Sequence, residues 1–97
     1  MSITSKQRAY LRSLANTMDT ILYIGKDGIT QNTVKEAYDA LEARELIKCC
    51  VQKGAPMDAK EACTALCEEV HAEPVQCIGS RFVIYRQSRD KQKIVFE

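Results

Sequence analysis

The stretch Tyr23-Ile24-Gly25-Lys26-Asp27-Gly28-Ile29-Thr30 constrains this chain most. The apolar run from Ile21 to Ile24 reads as a buried strand, and Thr30 is a good helix N-cap. A loop with glycine at each end, Gly25-Lys26-Asp27-Gly28, therefore joins a strand to a helix. Glycine lets the backbone take positive φ and lets another group approach closely, because no Cβ stands in the way. A helix start presents unpaired N–H groups and a partial positive charge, and Lys26 adds a cation at the loop tip. Such a combination suits a phosphate, and a nucleic-acid backbone is the commonest macromolecular source of phosphates. A bare G-x-x-G is also a frequent structural turn, so both readings stand. The loop is neither the G-x-x-x-x-G-K-[ST] loop of nucleotide hydrolases nor the three-glycine dinucleotide fingerprint.

The rest of the chain supplies the frame. Thr4-Ser5-Lys6-Gln7 has the form of a capping box, with Thr4 as N-cap. Leu11, Leu14, Ala15 and Met18 then form one helical stripe, predicting a helix over 5–17 on which Arg8 and Arg12 share a face. The first strand takes 20–24. Val34, Ala37, Tyr38 and Leu41 give the buried side of a helix over 31–44. Residues 46–52 read as a second strand, with Ile47, Cys49 and Val51 toward one face and Lys48, Cys50 and Gln52 toward the other. A strand–helix–strand order implies a right-handed crossover and parallel pairing. Lys53-Gly54-Ala55-Pro56 breaks the pattern as a loop. Asp58 and Glu61 cap a third helix over 58–71, whose apolar side is Ala59, Ala62, Cys63, Leu66, Cys67 and Val70. Strands over 75–78 and 81–86 follow, turned by Gly79-Ser80. Residues 87–93 are polar and read as a loose end, with Ile94-Val95-Phe96 able to dock. A helix followed by β-α-β-α-β-β predicts an α/β chain, more narrowly an α+β two-layer fold with a four-stranded mixed sheet.

Ninety-seven residues suit one domain. No apolar run nears the roughly 20 residues of a membrane helix, and Met1 to Lys6 lacks the apolar core of a signal peptide. A cytoplasmic protein is expected. The net charge of +1 hides an uneven spread. Residues 1–28 hold Lys6, Arg8, Arg12 and Lys26 against Asp19 and Asp27, net +2. Residues 81–97 hold Arg81, Arg86, Arg89, Lys91 and Lys93 against Asp90 and Glu97, net +3, and the middle is net −4. Basic ends brought together by folding would make a positive face of the nucleic-acid-binding kind, and a mixed solvated surface is the plainer alternative.

The five cysteines, two of them adjacent, make a poor disulfide framework and are expected to be reduced. Cys63, Cys67 and His71 lie at i, i+4 and i+8, but a closed zinc site needs four ligands and there is no C-x-x-C pair. Cys49, Cys63, Cys67 and Cys77 fall on apolar positions and are expected in the core, with Cys50 facing the other way. A single histidine, and no serine or cysteine paired with a base, predict a non-enzymatic protein without cofactor or metal. The aromatics lack an RNA-recognition signature strand. Tyr85 beside Arg86 is the one place where stacking next to a cation is expected, a core or rim tyrosine being the alternative.

Several stretches carry a resemblance in order along nearly the whole chain. They are Lys6-Gln7-Arg8, Leu11-Arg12-Ser13-Leu14-Ala15, Ile24-Gly25-Lys26-Asp27-Gly28-Ile29-Thr30 and Leu41-Glu42-Ala43-Arg44-Glu45-Leu46-Ile47-Lys48. Val75-Gln76-Cys77-Ile78-Gly79 and Val83-Ile84-Tyr85-Arg86 complete them. The chain thereby resembles the YhbY group of the chloroplast RNA splicing and ribosome maturation (CRM) domain family. The resemblance implies a fold like the C-terminal domain of translation initiation factor three, a glycine loop like that of KH domains, and RNA as partner. For the stand-alone bacterial members it implies association with precursors of the large ribosomal subunit; plant members use the domain in intron splicing. Asn16, Thr20 and Cys50 depart from the pattern, where histidine, proline and a polar or basic residue are usual.

The expected RNA-binding residues are Gly25, Lys26, Asp27, Gly28 and Thr30 for the backbone clamp, and Lys6, Arg8, Arg12, Lys48, Arg81 and Arg86 for charge. The expected partners are RNA, in particular a ribosomal RNA precursor, and the precursor large subunit, bound by a monomer with no membrane involved. A protein-interaction module that touches no RNA is the second reading, and a thiol or zinc protein the third.

Overall fold

Each helix opens on a reciprocal capping box, so the amides of its N-cap and of the residue three positions on are satisfied by each other's side chains. Thr4 and Gln7 cap α1 (Ser5–Ala15), Thr30 and Thr33 cap α2 (Gln31–Arg44), and Asp58 and Glu61 cap α3 (Ala59–Val70). The strands are β1 (Thr20–Ile24), β2 (Leu46–Val51), β3 (Glu73–Ile78) and β4 (Arg81–Tyr85). These elements come from a computed structural model that describes residues 3–88 and Ile94. The expected order and the mixed four-stranded sheet are both present.

The strand order is β1-β2-β4-β3. Strands β1 and β2 pair in parallel, as a β-α-β crossover requires, and the other two pairs are antiparallel. Ile47, Cys49, Val51, Phe82 and Ile84 join Leu22 and Ile24 in the larger core, beneath α2 and α3. The opposite parity, Leu46, Val83 and Tyr85, packs with Val75 and with Leu11 and Ala15 of α1 in a second core. The two-layer expectation is thus refined: helices cover both faces of the sheet, because β2 and β4 carry apolar residues at both parities.

Three placements differ from the sequence reading. A register shift between Pro74 and Gln76 inserts an extra residue into β3. Such a bulge reverses the alternation beyond it. Val75 enters the second core, whereas Cys77 pairs with Phe82 on the other face and is exposed at the sheet edge, not buried as expected. Tyr38 is exposed rather than buried, and the cation stack forms on it and not on Tyr85, which is a core residue, as the alternative reading had it. The stacked pair is therefore Arg86 on Tyr38, with the guanidinium 4.4 Å from the ring centroid.

The segment after β4 is anchored at a buried carboxylate. Glu45 ends α2 at φ 66, a conformation uncommon outside glycine. Its side chain accepts hydrogen bonds from the amides of Ser88 at 2.5 Å and Ile94 at 2.7 Å, and its carbonyl accepts one from the Arg86 amide. Ile94 also packs against the second core. The expected docking of Val95 and Phe96, and the looseness of 89–93, lie outside the described residues.

Candidate nucleic-acid interface

The glycine loop is closed by a hydrogen bond from the Gly28 amide to the Gly25 carbonyl at 2.9 Å. Gly28 has φ +70, and a Cβ there would lie 3.1 Å from Pro56 Cγ and 3.3 Å from Met57 Cε. Its lack of a side chain is thus required twice, by backbone conformation and by close packing. Gly25 has no such conformation, and its missing Cβ faces only Gln52 Oε1 at 3.2 Å. Because the Gly28 amide is committed to the turn, it is not available to an anion. The Lys26 and Asp27 amides, at the turn's exposed centre, make no hydrogen bond among the described residues. The Asp27 carboxylate shares this tip, and Thr30 spends its hydroxyl on capping α2.

A second turn stands beside the first. The Ala55 amide donates to the Gln52 carbonyl at 3.1 Å, and Gly54 takes φ +97. Because β1 and β2 are parallel, with Ile24 opposite Val51, their following turns leave the sheet side by side. The Gln52 amide donates to the Ile24 carbonyl at 2.8 Å and ties them together. Lys26 and Lys53 occupy equivalent positions, each the second residue of its turn. Lys53 was missed in the sequence because nothing local marks it; parallel register is the signal that brings it to the loop.

The predicted cations divide into three groups. Arg81, near the end that carries the two turns, and Lys48, in the middle of β2, lie on the α1 face of the sheet in a cleft of about 230 Å³ that Asn16, Gln76 and Ile78 also line. Arg12 is exposed one helical turn before Asn16. Lys6 and Arg8 sit in the first turn of α1, whose approach is held at the opposite end by the Ile3 amide donating to Glu73 Oε1. Arg8 Nε donates to the Pro74 carbonyl at 3.2 Å. Arg86 is set apart on the helix-pair face: Nη1 donates to the Val70 carbonyl at 3.0 Å and Nη2 lies 3.1 Å from Glu42 Oε2. Among the described residues, Lys6, Arg12, Lys26, Lys48, Lys53 and Arg81 form no ion pair.

Most exposed acids are placed elsewhere, Asp27 at the loop tip and Asp19 before β1 apart. Glu36, Asp39, Glu61, Glu68 and Glu69 are exposed on α2 and α3, while α1 holds Lys6, Arg8 and Arg12 and no carboxylate. The charge asymmetry read along the chain therefore becomes an asymmetry across the sheet, with a basic α1 side.

A family model, the CRS1 / YhbY (CRM) domain, matches residues 3–86, which span every element just described. The chain belongs to the CRM domain family. Similar proteins include the "Probable RNA-binding protein YqeI" of Bacillus subtilis, 37% identical over 92 residues that make up 95% of this chain and 96% of that protein. An "RNA-binding protein" of Haemophilus influenzae is 33% identical over 92% of this chain and 90% of its own length. Among solved structures, hypothetical protein SAV1595 from Staphylococcus aureus superposes with a TM-score of 0.81 at 46% identity. That match covers 99% of this chain and all of the other.

The cysteines of this CRM domain are mainly packing residues. Burial pushes the Cys49 thiol up to about 12, with help from Cys63 and Cys50. A hydrogen bond between Cys67 and Cys63 raises the Cys67 thiol and lowers that of Cys63. No group of three or more His, Cys, Asp or Glu among the described residues is placed to hold a metal ion. No helix of the described residues is long and apolar enough to cross a membrane.

Proposed function

We propose that this CRM domain is an RNA-binding protein that performs no catalysis and associates with precursors of the large ribosomal subunit. The observation that carries the reading is the pair of adjacent turns, Gly25–Gly28 and Gln52–Ala55, each presenting a lysine, with Lys48 and Arg81, which form no ion pair among the described residues, on the adjoining face of the sheet. The open amides of Lys26 and Asp27 and the start of α2 receive a phosphate oxygen. Lys26, Lys53, Lys48, Arg81 and Arg12 follow the strand with positive charge, and Lys6 and Arg8 extend that charge along α1. Arg86 serves the fold instead of the ligand. The names of the relatives support RNA as the partner, and the resemblance to stand-alone bacterial members supports the ribosomal setting.

The test is salt-dependent binding to single-stranded RNA. Neutralising about four phosphates gives a log–log slope near −3. Binding that ignores salt, or that survives nuclease treatment of a pre-ribosomal pull-down unchanged, would overturn the reading.

A further inference from the structure

Four residues stand in one row across the α1 face of the sheet. Tyr23 pairs with Cys50, Cys50 with Arg81, and Arg81 with Ile78, so their side chains project from the same face. The row spans three strand spacings, roughly 14 Å. Tyr23 is 55% exposed and Ile78 66%, and both belong to the few large apolar residues that the fold leaves in solvent. A tyrosine gains little by standing open on a sheet, with an arginine two strands away in the same row, unless a flat partner covers it.

The next row supplies polar neighbours. Lys48 pairs with Val83 and Val83 with Gln76, and Asn16 closes the cleft from the end of α1. No carboxylate lines this cleft. One face thus offers an aromatic ring, a planar guanidinium and two amides, bordered by lysines. Rings and guanidinium planes stack on bases, amides hydrogen-bond to base edges, and lysines meet phosphates.

We propose that this row is a platform for unpaired nucleobases, with Tyr23 and Arg81 as the stacking planes and Asn16 and Gln76 facing base edges. The proposal rests on the RNA-binding reading and adds to it a preference for single strands. In a duplex the bases are already stacked and their faces are closed, so only the phosphates could reach the turns. A strand held by its backbone at Lys26 and Lys53 runs directly onto the row, because Tyr23 lies two residues before Gly25.

The experiment uses the full chain and a fluorescein-labelled RNA of about 12 nucleotides, within the usual ~4–16 for such grooves. The RNA is presented single-stranded or annealed to its complement, and anisotropy gives both affinities. The wild-type chain is expected to favour the single strand. Tyr23→Leu should weaken single-strand binding about fivefold or more, the low end for one base–aromatic stack, and leave duplex binding unchanged. Tyr23→Phe should retain it. Arg81→Lys, which keeps charge but loses the plane, should weaken the single strand selectively and tests the row independently if the leucine variant misfolds. Equal affinity for both RNAs, or single-strand binding undiminished in Tyr23→Leu and Arg81→Lys, overturns the platform and leaves phosphate binding standing. No binding of either RNA by the wild-type chain overturns both.

Discussion

Arg86 and Glu42 meet at 3.1 Å with side chains only 12% and 22% exposed, and the same guanidinium lies over the ring of Tyr38. Arg86 Nη2 is buried there outside hydrogen-bonding geometry, so attraction to Glu42 is chiefly electrostatic. Removing one member of a mostly buried pair strands the other charge. Arg86→Ala is therefore expected to cost about 3 kcal/mol of stability, read as a shift in the urea midpoint. RNA affinity of the folded variant should match wild type, since this arginine lies away from the two turns.

The two loop glycines should respond differently. Gly28→Ala meets both a left-handed backbone and the Pro56 ring, and is expected to lose about 2 kcal/mol. Gly25→Ala displaces only the end of the Gln52 side chain and should stay within about 0.5 kcal/mol of wild type. Thermal melts of the two proteins separate the cases. The alanine at position 25 then gives a folded protein in which the loop's part in RNA binding can be measured.

Lys26 and Lys53 should contribute alike. Replacing each with glutamine is expected to lower the magnitude of the salt slope by about 0.7, and both together by about 1.4. The loss should be similar for every RNA sequence, because phosphate contacts carry no sequence information. Folding stability should be unaffected, both side chains being exposed and outside any ion pair among the described residues. Titrations at several salt concentrations check both points.

Alkaline pH should destabilise the fold through its buried thiols. The Cys49 thiol moves from an ordinary 9.0 up to about 12 on burial. Above pH 9 the unfolded chain releases this proton and the folded chain keeps it, so stability present below pH 9 falls as pH rises toward 12. The raised Cys67 and Tyr85 act in the same direction, and the lowered Cys63, hydrogen-bonded to Cys67, opposes them in part. Melting temperatures across that range check the sign. In the native protein, iodoacetamide should label Cys50 and Cys77 well before Cys49, Cys63 and Cys67, as peptide mass spectrometry would read out.

The caps and stripes were legible because they are local. Thr4 with Gln7 and Asp58 with Glu61 each close within three residues, Thr30 marks the start of α2 although its partner Thr33 was not read, and the alternation in β2 sorts Ile47, Cys49 and Val51 from Lys48 and Cys50 before any partner is known. Cys77 was misread because the bulge after Pro74 is set by pairing with β4, not by the residues of β3 themselves. In the sequence Arg86 reads as a free cation because its partners Glu42, Tyr38 and Val70 lie on other elements.

The amino-acid order by itself determined the helices, the strands, the glycine turn and the uneven charge, since each depends on neighbours a few residues away. Tertiary structure alone decided which groups share a surface. Parallel pairing brought Lys53 to Lys26, and strand order brought Tyr23, Cys50, Arg81 and Ile78 into one row. Periodicity assigns a side chain to a face, but only the pairing of strands distant in sequence assigns it a neighbour.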